Sequence, residues 1–149
     1  MPKLIGIATH STSKGEIKTH DDIKVSVEKG LKDDYQGQKN SHTAVTLLSL
    51  KSWLQACKEC DCEIDWIERR ANLLIDDIEF NAEMIGQQIQ IGEVLLEITK
   101  ETDPCNRMEA LQKGLKDALT QNWRGGARCR VLRKGRIKYG DSLTLLKRF

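Results

Sequence analysis

The chain has 149 residues, 39% of them hydrophobic and 31% charged. This is the make-up of a soluble globular protein of one domain with its own core, and it excludes a wholly disordered chain. Lys and Arg number 24 and Asp and Glu 22, leaving a formal charge of +2 that by itself gives no case for nucleic acid or a membrane surface.

That balance hides a split. Residues 123–149 hold nine bases and one acid, Asp141, a surplus of +8, so residues 1–122 carry −6. Such asymmetry reads either as a basic wall facing an acidic body or as a solvated basic hairpin. No run approaches the ~20 apolar residues that span a bilayer, and Met1–His10 lacks a signal-peptide pattern. A cytoplasmic protein is expected, with no membrane partner and with reduced thiols. Its five cysteines, an odd number, argue against a fully paired disulfide framework.

In chain order, Leu4–Thr9 reads as a short apolar strand. Ile23, Val25 and Val27 alternate with polar residues, which predicts a half-buried strand closed by Gly30. Thr43–Ser49 is β-branched and apolar, as in a buried strand. It runs into Leu50, Trp53, Leu54 and Cys57, whose spacing predicts a short helix. Ala71–Asp76 is a further strand. Ile89–Ile91 and Val94–Thr99 flank a Gly92-Glu93 turn. Met108, Leu111, Leu115 and Leu119 predict one helix over Asn106–Leu119, with Asp103 as its cap and Pro104 at its first position. Arg130–Leu132 and Arg136–Tyr139 flank a Lys134-Gly135 turn, and Leu143–Leu146 is the last strand. The segments around Gly92-Glu93 and Gly140-Asp141 echo one another, which we ascribe to shared turn chemistry. The whole is one domain, residues 1–149, mainly β with a few helices. Many short strands in a small chain favour a closed or partly closed β-barrel, because closure removes exposed edges.

Several residues have the chemistry of a site. Cys105 lies between a strand and the predicted helix. A helix start and nearby Arg107 favour the thiolate, the nucleophilic and metal-binding form, while Asp103 opposes it. The bland alternative is a small hydrophobe at a helix start. Arg69, Arg70 and Asn72 combine planar guanidinium groups with an amide, a set suited to oxyanions, or else a solvated strand entry. Arg124, Gly125, Gly126 and Arg128 combine a flexible Gly-Gly with two cations and could wrap an anion, or form a plain hairpin loop. Cys57, Cys60 and Cys62 include the C-x2-C spacing of zinc sites but lack a clear fourth ligand.

The ordered set of motifs is Gly30-Leu31 followed by Asp34; Arg69-Arg70-Ala71-Asn72-Leu73; Ile91 through Thr99; Pro104-Cys105; and Gly125-Gly126-Ala127-Arg128 followed by Val131-Leu132, Gly135, Ile137 and Gly140-Asp141. Together they resemble the MOSC domain, named for the C-terminal part of molybdenum cofactor sulfurases, from about Leu4 to Leu146. The resemblance implies a β-rich barrel. It implies that Cys105 carries sulfur or ligates molybdenum. It implies that Arg70 and Asn72 contact the pterin of the molybdenum cofactor, molybdopterin, with Gly125–Arg128 as a further binding segment; Arg69 and Arg124 are candidates to help hold its phosphate and polar pterin edge. Sulfur transfer and a molybdenum-dependent activity are both open to such a thiol. The partner would be the cofactor itself, a sulfur donor or a molybdoenzyme. Pyridoxal phosphate belongs to a separate sulfurase domain and is not expected in this chain. The competing reading is a non-catalytic binding module whose basic C-terminal segment contacts nucleic acid or an acidic partner. Few aromatics accompany those bases, which counts against nucleic acid.

Overall fold

The computed structural model describes residues 1–146; Lys147, Arg148 and Phe149 of the basic segment lie outside the described residues. The strands are β1 (Leu4–Thr9), β2 (Lys18–Thr19), β3 (Asp22–Ser26), β4 (Gly30–Leu31), β5 (Val45–Ser49), β6 (Leu73–Ile75), β7 (Gln88–Ile91), β8 (Val94–Glu101), β9 (Ala127–Arg133), β10 (Gly135–Lys138) and β11 (Leu143–Leu145). The helices are α1 (Tyr35–Lys39), α2 (Leu50–Glu59), α3 (Asn106–Leu111) and α4 (Leu115–Thr120).

Eight strands form one sheet in the order β11-β7-β8-β9-β5-β6-β1-β2, and three form a second in the order β10-β3-β4. Among the described residues only β5 and β6 pair in parallel, and the crossover such a pair needs carries α2 and the turn Trp66–Arg69. The small sheet covers one face of the large one. Ile23, Val25, Leu31 and Ile137 pack there against Val45, Leu47, Leu73, Ile91 and Leu96. Helices α2, α3 and α4 cover the other face, where Trp53, Ala56, Met108, Leu115 and Leu119 meet Leu48 and Leu74. Strand β5 is sandwiched and buried throughout, which is why its sequence shows no alternation. In α2 the inward residues are Ser52, Trp53, Ala56 and Cys57, whereas Leu54 of the predicted face is 56% exposed.

Three expectations are corrected. The sheet does not close into a barrel. Its ladder ends at β11 and β2, and one bridge, Lys3 with Ser142, joins the start of β1 to β11. The free edge of β1 is divided between that bridge and two-residue β2 at its far end, so neither pairing grows into a seam. Secondly, Asn106–Leu119 is two helices. Gln112 is extended and Gly114 takes φ +89, a conformation that suits glycine. The chain turns there, yet Met108, Leu115 and Leu119 still share one buried cluster. The helix also begins later than Asp103 and Pro104: Cys105 itself is the capping residue of α3, with no side-chain cap bond.

Candidate functional site

The site is assembled where β8 ends, β9 begins and the Trp66–Arg69 turn passes beneath them. Asp65 caps that turn by accepting from the Ile67 N–H at 3.2 Å. Its geometry separates the two neighbouring arginines. Arg69 is drawn inside, 7% exposed, and Arg70 follows in the left-handed region at φ 63 with its side chain outward.

Arg69 acts as a brace. Its Nε donates to Gly125 O at 3.1 Å, and one terminal nitrogen donates to Thr102 O at 3.2 Å and Asp103 O at 3.4 Å. Among the described residues no carboxylate pairs with it. Burial pushes its pKa down to about 10. The charges of Cys105 and Asp103 act the other way, and that of Arg128 adds to the depression. Arg69 therefore lies within electrostatic reach of both Cys105 and Arg128, and holds the backbone on either side of the thiol.

The glycines allow that closeness. A Cβ on Gly125 would overlap the Thr102 carbonyl oxygen. Gly126 has φ +114, and a Cβ there would overlap the Leu47 carbonyl oxygen. Thr102 N–H donates to Gly126 O at 2.9 Å, locking the two segments together. Two polar atoms beside this junction are buried without a hydrogen-bond partner among the described residues: Thr102 Oγ1 and Arg128 Nε. Buried polar groups are ordinarily paired, so such atoms mark a place where a ligand or water completes the set.

Cys105 is exposed, whereas Cys57 and Cys129 are buried. Arg70 donates to Gly15 O at 2.8 Å and Ser13 O at 3.4 Å, holding the 11–17 loop. Its own pKa is lowered by partial burial and then by Arg107, which shows a second pair of neighbouring cations. Asp34 is fully buried beneath. One of its oxygens accepts from His10 N–H at 3.1 Å, and the other lacks a partner among the described residues.

Other predicted residues are placed elsewhere or are engaged. Asn72 is 2% exposed, and its Oδ1 accepts from Thr46 N–H and Thr46 Oγ1 while its Nδ2 donates to Ala8 O. It stitches β1, β5 and the entry to β6 together. Arg124 donates to Glu59 Oε1 at 2.8 Å and Ala118 O at 3.1 Å, so it fastens α2 to α4 rather than facing Cys105. Of the other C-terminal bases, Arg130 pairs with Glu97 at 2.6 Å and Arg136 with Asp22 at 2.7 Å, so the acidic body neutralises much of the surplus locally. Cys57, Cys60 and Cys62 lie along one end of α2. Burial first, and then neighbouring charges, push the Cys60 and Cys62 thiols up. Among the described residues no three His, Cys, Asp or Glu side chains group closely enough to hold a metal ion. Sequence reasoning missed Thr102, because a lone threonine at a strand end has no pattern to announce it.

Residues 34–144 match the model for the MOSC domain, which spans most of the chain. The chain belongs to the MOSC family. The MOSC fold is shared with the YUAD protein from Bacillus subtilis, at 17% identity and a TM-score of 0.77 over 96% of this chain and 94% of that one. It is shared as well with YiiM from Geobacillus stearothermophilus, at 16% identity and a TM-score of 0.76 over 99% of this chain and 76% of that one. YiiM from Escherichia coli gives 15% identity and a TM-score of 0.73 over 99% of this MOSC chain and 71% of that one. At such identities the likeness speaks for the fold alone. No curated protein matches by sequence. Among the described residues no helix is long and apolar enough to cross a membrane.

Proposed function

We propose that residues 1–149 form one MOSC domain that handles the molybdenum cofactor in a reducing cytoplasm, with Cys105 as its working thiol. The observation that carries this reading is the exposed Cys105 beside buried Arg69 and the Nε of Arg128, which among the described residues have no carboxylate partner and no hydrogen-bond partner respectively. Two guanidinium groups and an orphaned hydroxyl suit an anionic, phosphate-bearing pterin, and a thiolate is a soft ligand that suits molybdenum. The residues present therefore fit the group.

Arg128 would supply the charge and Thr102 Oγ1 the hydrogen bond, while Arg69 fixes the loop that carries Cys105. Bound there, the cofactor would supply redox chemistry at its metal. Gly125 and Gly126 let backbone approach backbone closely, which keeps that wall of the site in place. Arg70 would act through the 11–17 loop, and Asn72 through the strands it joins. In the sulfur-carrying version, the Cys105 thiolate attacks the outer sulfur of a donor persulfide. The new Sγ–S bond forms as the donor's S–S bond breaks, and the donor leaves as a thiolate.

Incubation with the molybdenum cofactor, followed by desalting and metal analysis, tests the binding version. Wild type should retain molybdenum, and Cys105→Ser and Arg128→Gln should retain much less. Equal retention by Cys105→Ser would remove ligation by this thiol. Incubation with a persulfide donor and mass analysis tests the carrier version, in which a Cys105 that gains no sulfur would end it.

A further inference from the structure

The small sheet carries a basic cleft that the Cys105 site does not use. One lobe, about 430 Å³, lies between β1–β2 and β3. It shares Lys24, Lys32, Asp33 and Arg136 with a second lobe of about 760 Å³ that reaches Lys29 and Lys134. Across both lobes six bases, Lys18, Lys24, Lys29, Lys32, Lys134 and Arg136, face the acids Asp22, Asp33 and Glu93. Neither lobe is lined by Cys105 or Arg69.

Of these six bases the acids neutralise Arg136 and leave the lysines. Asp22 is bonded to Arg136 at 2.7 Å, and Glu93 accepts the Arg136 backbone N–H at 2.9 Å. Among the described residues none of the five lysines has an ion-pair partner. The strand register makes matters worse. Lys24 stands directly opposite Arg136 in the β3–β10 pair, and Lys32 is bonded through its N–H to Lys24 O at 3.0 Å. Like charges directly opposite on one face of a sheet destabilise it. The ion pair of Arg136 with Asp22 offsets part of this, but Lys24 has no ion-pair partner among the described residues, and departures from a local rule are expected at functional surfaces.

We propose that this cleft binds a small compound with two adjacent phosphate groups, held through charge. The surplus of bases over acids matches the charge of a diphosphate. Lysine is a point-charge phosphate binder that asks little of geometry. The one aromatic ring in the lining is His20, which is bonded to Thr9 Oγ1 at 2.8 Å, so the cleft lacks the row of stacking platforms that a single-stranded nucleic acid would need. The concave shape likewise suits a compact ligand.

Calorimetry of the full chain with inorganic pyrophosphate at low salt tests this. Pyrophosphate should bind, and ADP should bind with similar affinity, because the phosphates are what the cleft recognises. Orthophosphate should bind about tenfold more weakly. The Lys24→Gln, Lys32→Gln double variant should lose about tenfold or more in affinity. Lys113→Gln, outside the cleft, should bind as wild type does. Without ligand, Lys24→Gln should melt at or above the wild-type temperature, since the repulsion is relieved. The proposal is overturned if wild type shows no heat at millimolar pyrophosphate, if the double variant binds as wild type does, or if only a single-stranded oligonucleotide binds. A lower melting temperature for Lys24→Gln would remove the argument from strand register.

Discussion

Arg69 Nε donates to the carbonyl oxygen of Gly125 at 3.1 Å, across 56 residues of sequence. This bond, with those to Thr102 and Asp103, places a buried cation under the loop that carries Cys105. Arg69→Met would leave buried carbonyls unpaired and should cost about 2–3 kcal/mol. For a chain of this length that is a fall of roughly 5–10 °C in Tm. Thermal melts of the two proteins check it, and an unchanged midpoint would show that the brace carries no load.

Gly126→Ala should destabilise through both its φ of +114 and the overlap with Leu47 O. The expected loss is about 2–3 kcal/mol, read as a shift in the urea midpoint. Because Gly126 O accepts from Thr102 N–H, the variant should also alter how fast Cys105 reacts. A stable variant with unaltered thiol kinetics would count against the close approach.

Asn72→Ala should cost about 2 kcal/mol, because it orphans the buried Thr46 N–H and Ala8 O. Asn72→Asp keeps an acceptor for Thr46 but loses the donor to Ala8, and should fall further through a buried charge. Denaturant titrations of both variants decide whether the side chain serves the strands.

The thiols should differ sharply in native alkylation. Cys105 is exposed, whereas Cys129 is buried with its pKa pushed up, by burial first and then by Glu97. Peptide mapping after brief iodoacetamide treatment should find Cys105 modified, and Cys57 and Cys129 modified only after unfolding. Early labelling of Cys129 would contradict the packing of β9.

Glu59 connects the packing of α2 and α4 to pH. Hydrogen bonds from Arg124 and then Gln55 hold its carboxyl below the ordinary value. A depressed acid contributes stability above its unfolded pKa and loses it as pH falls through the folded one. Glu59→Gln should therefore be less stable than wild type at neutral pH, with the gap closing in acid. Urea midpoints across that range give the answer, and a gap independent of pH would mean that the carboxylate charge is irrelevant.

Elements whose pattern follows one local period were readable beforehand. The Ile23 and Val25 alternation became β3, and Leu50–Cys57 became the body of α2. The break at Gly114 was not readable, because Met108 and Leu115 keep helical spacing on both sides of it. Barrel closure depends on how long two distant edges stay paired, which no local pattern encodes. At the site, Cys105, Gly125 and Gly126 stood out by residue type. The division of labour between Arg69 and Arg70 did not, since adjacent arginines differ only through the left-handed turn that sends one inward. Asn72 has the chemistry of a ligand contact, but its partners come from β1 and β5, far off in sequence.

The strand order has a consequence for the chain as an object that can be cut. The strands after the turn at Gly114 are interleaved with those that precede it: β9 lies between β8 and β5, β10 beside β3, and β11 beside β7. Lys113, in that turn, is exposed. A protease nick there would sever the backbone without releasing a piece, because each fragment holds strands the other needs to cover its apolar faces. Two halves made separately would each be an incomplete sheet, complementary only to the other.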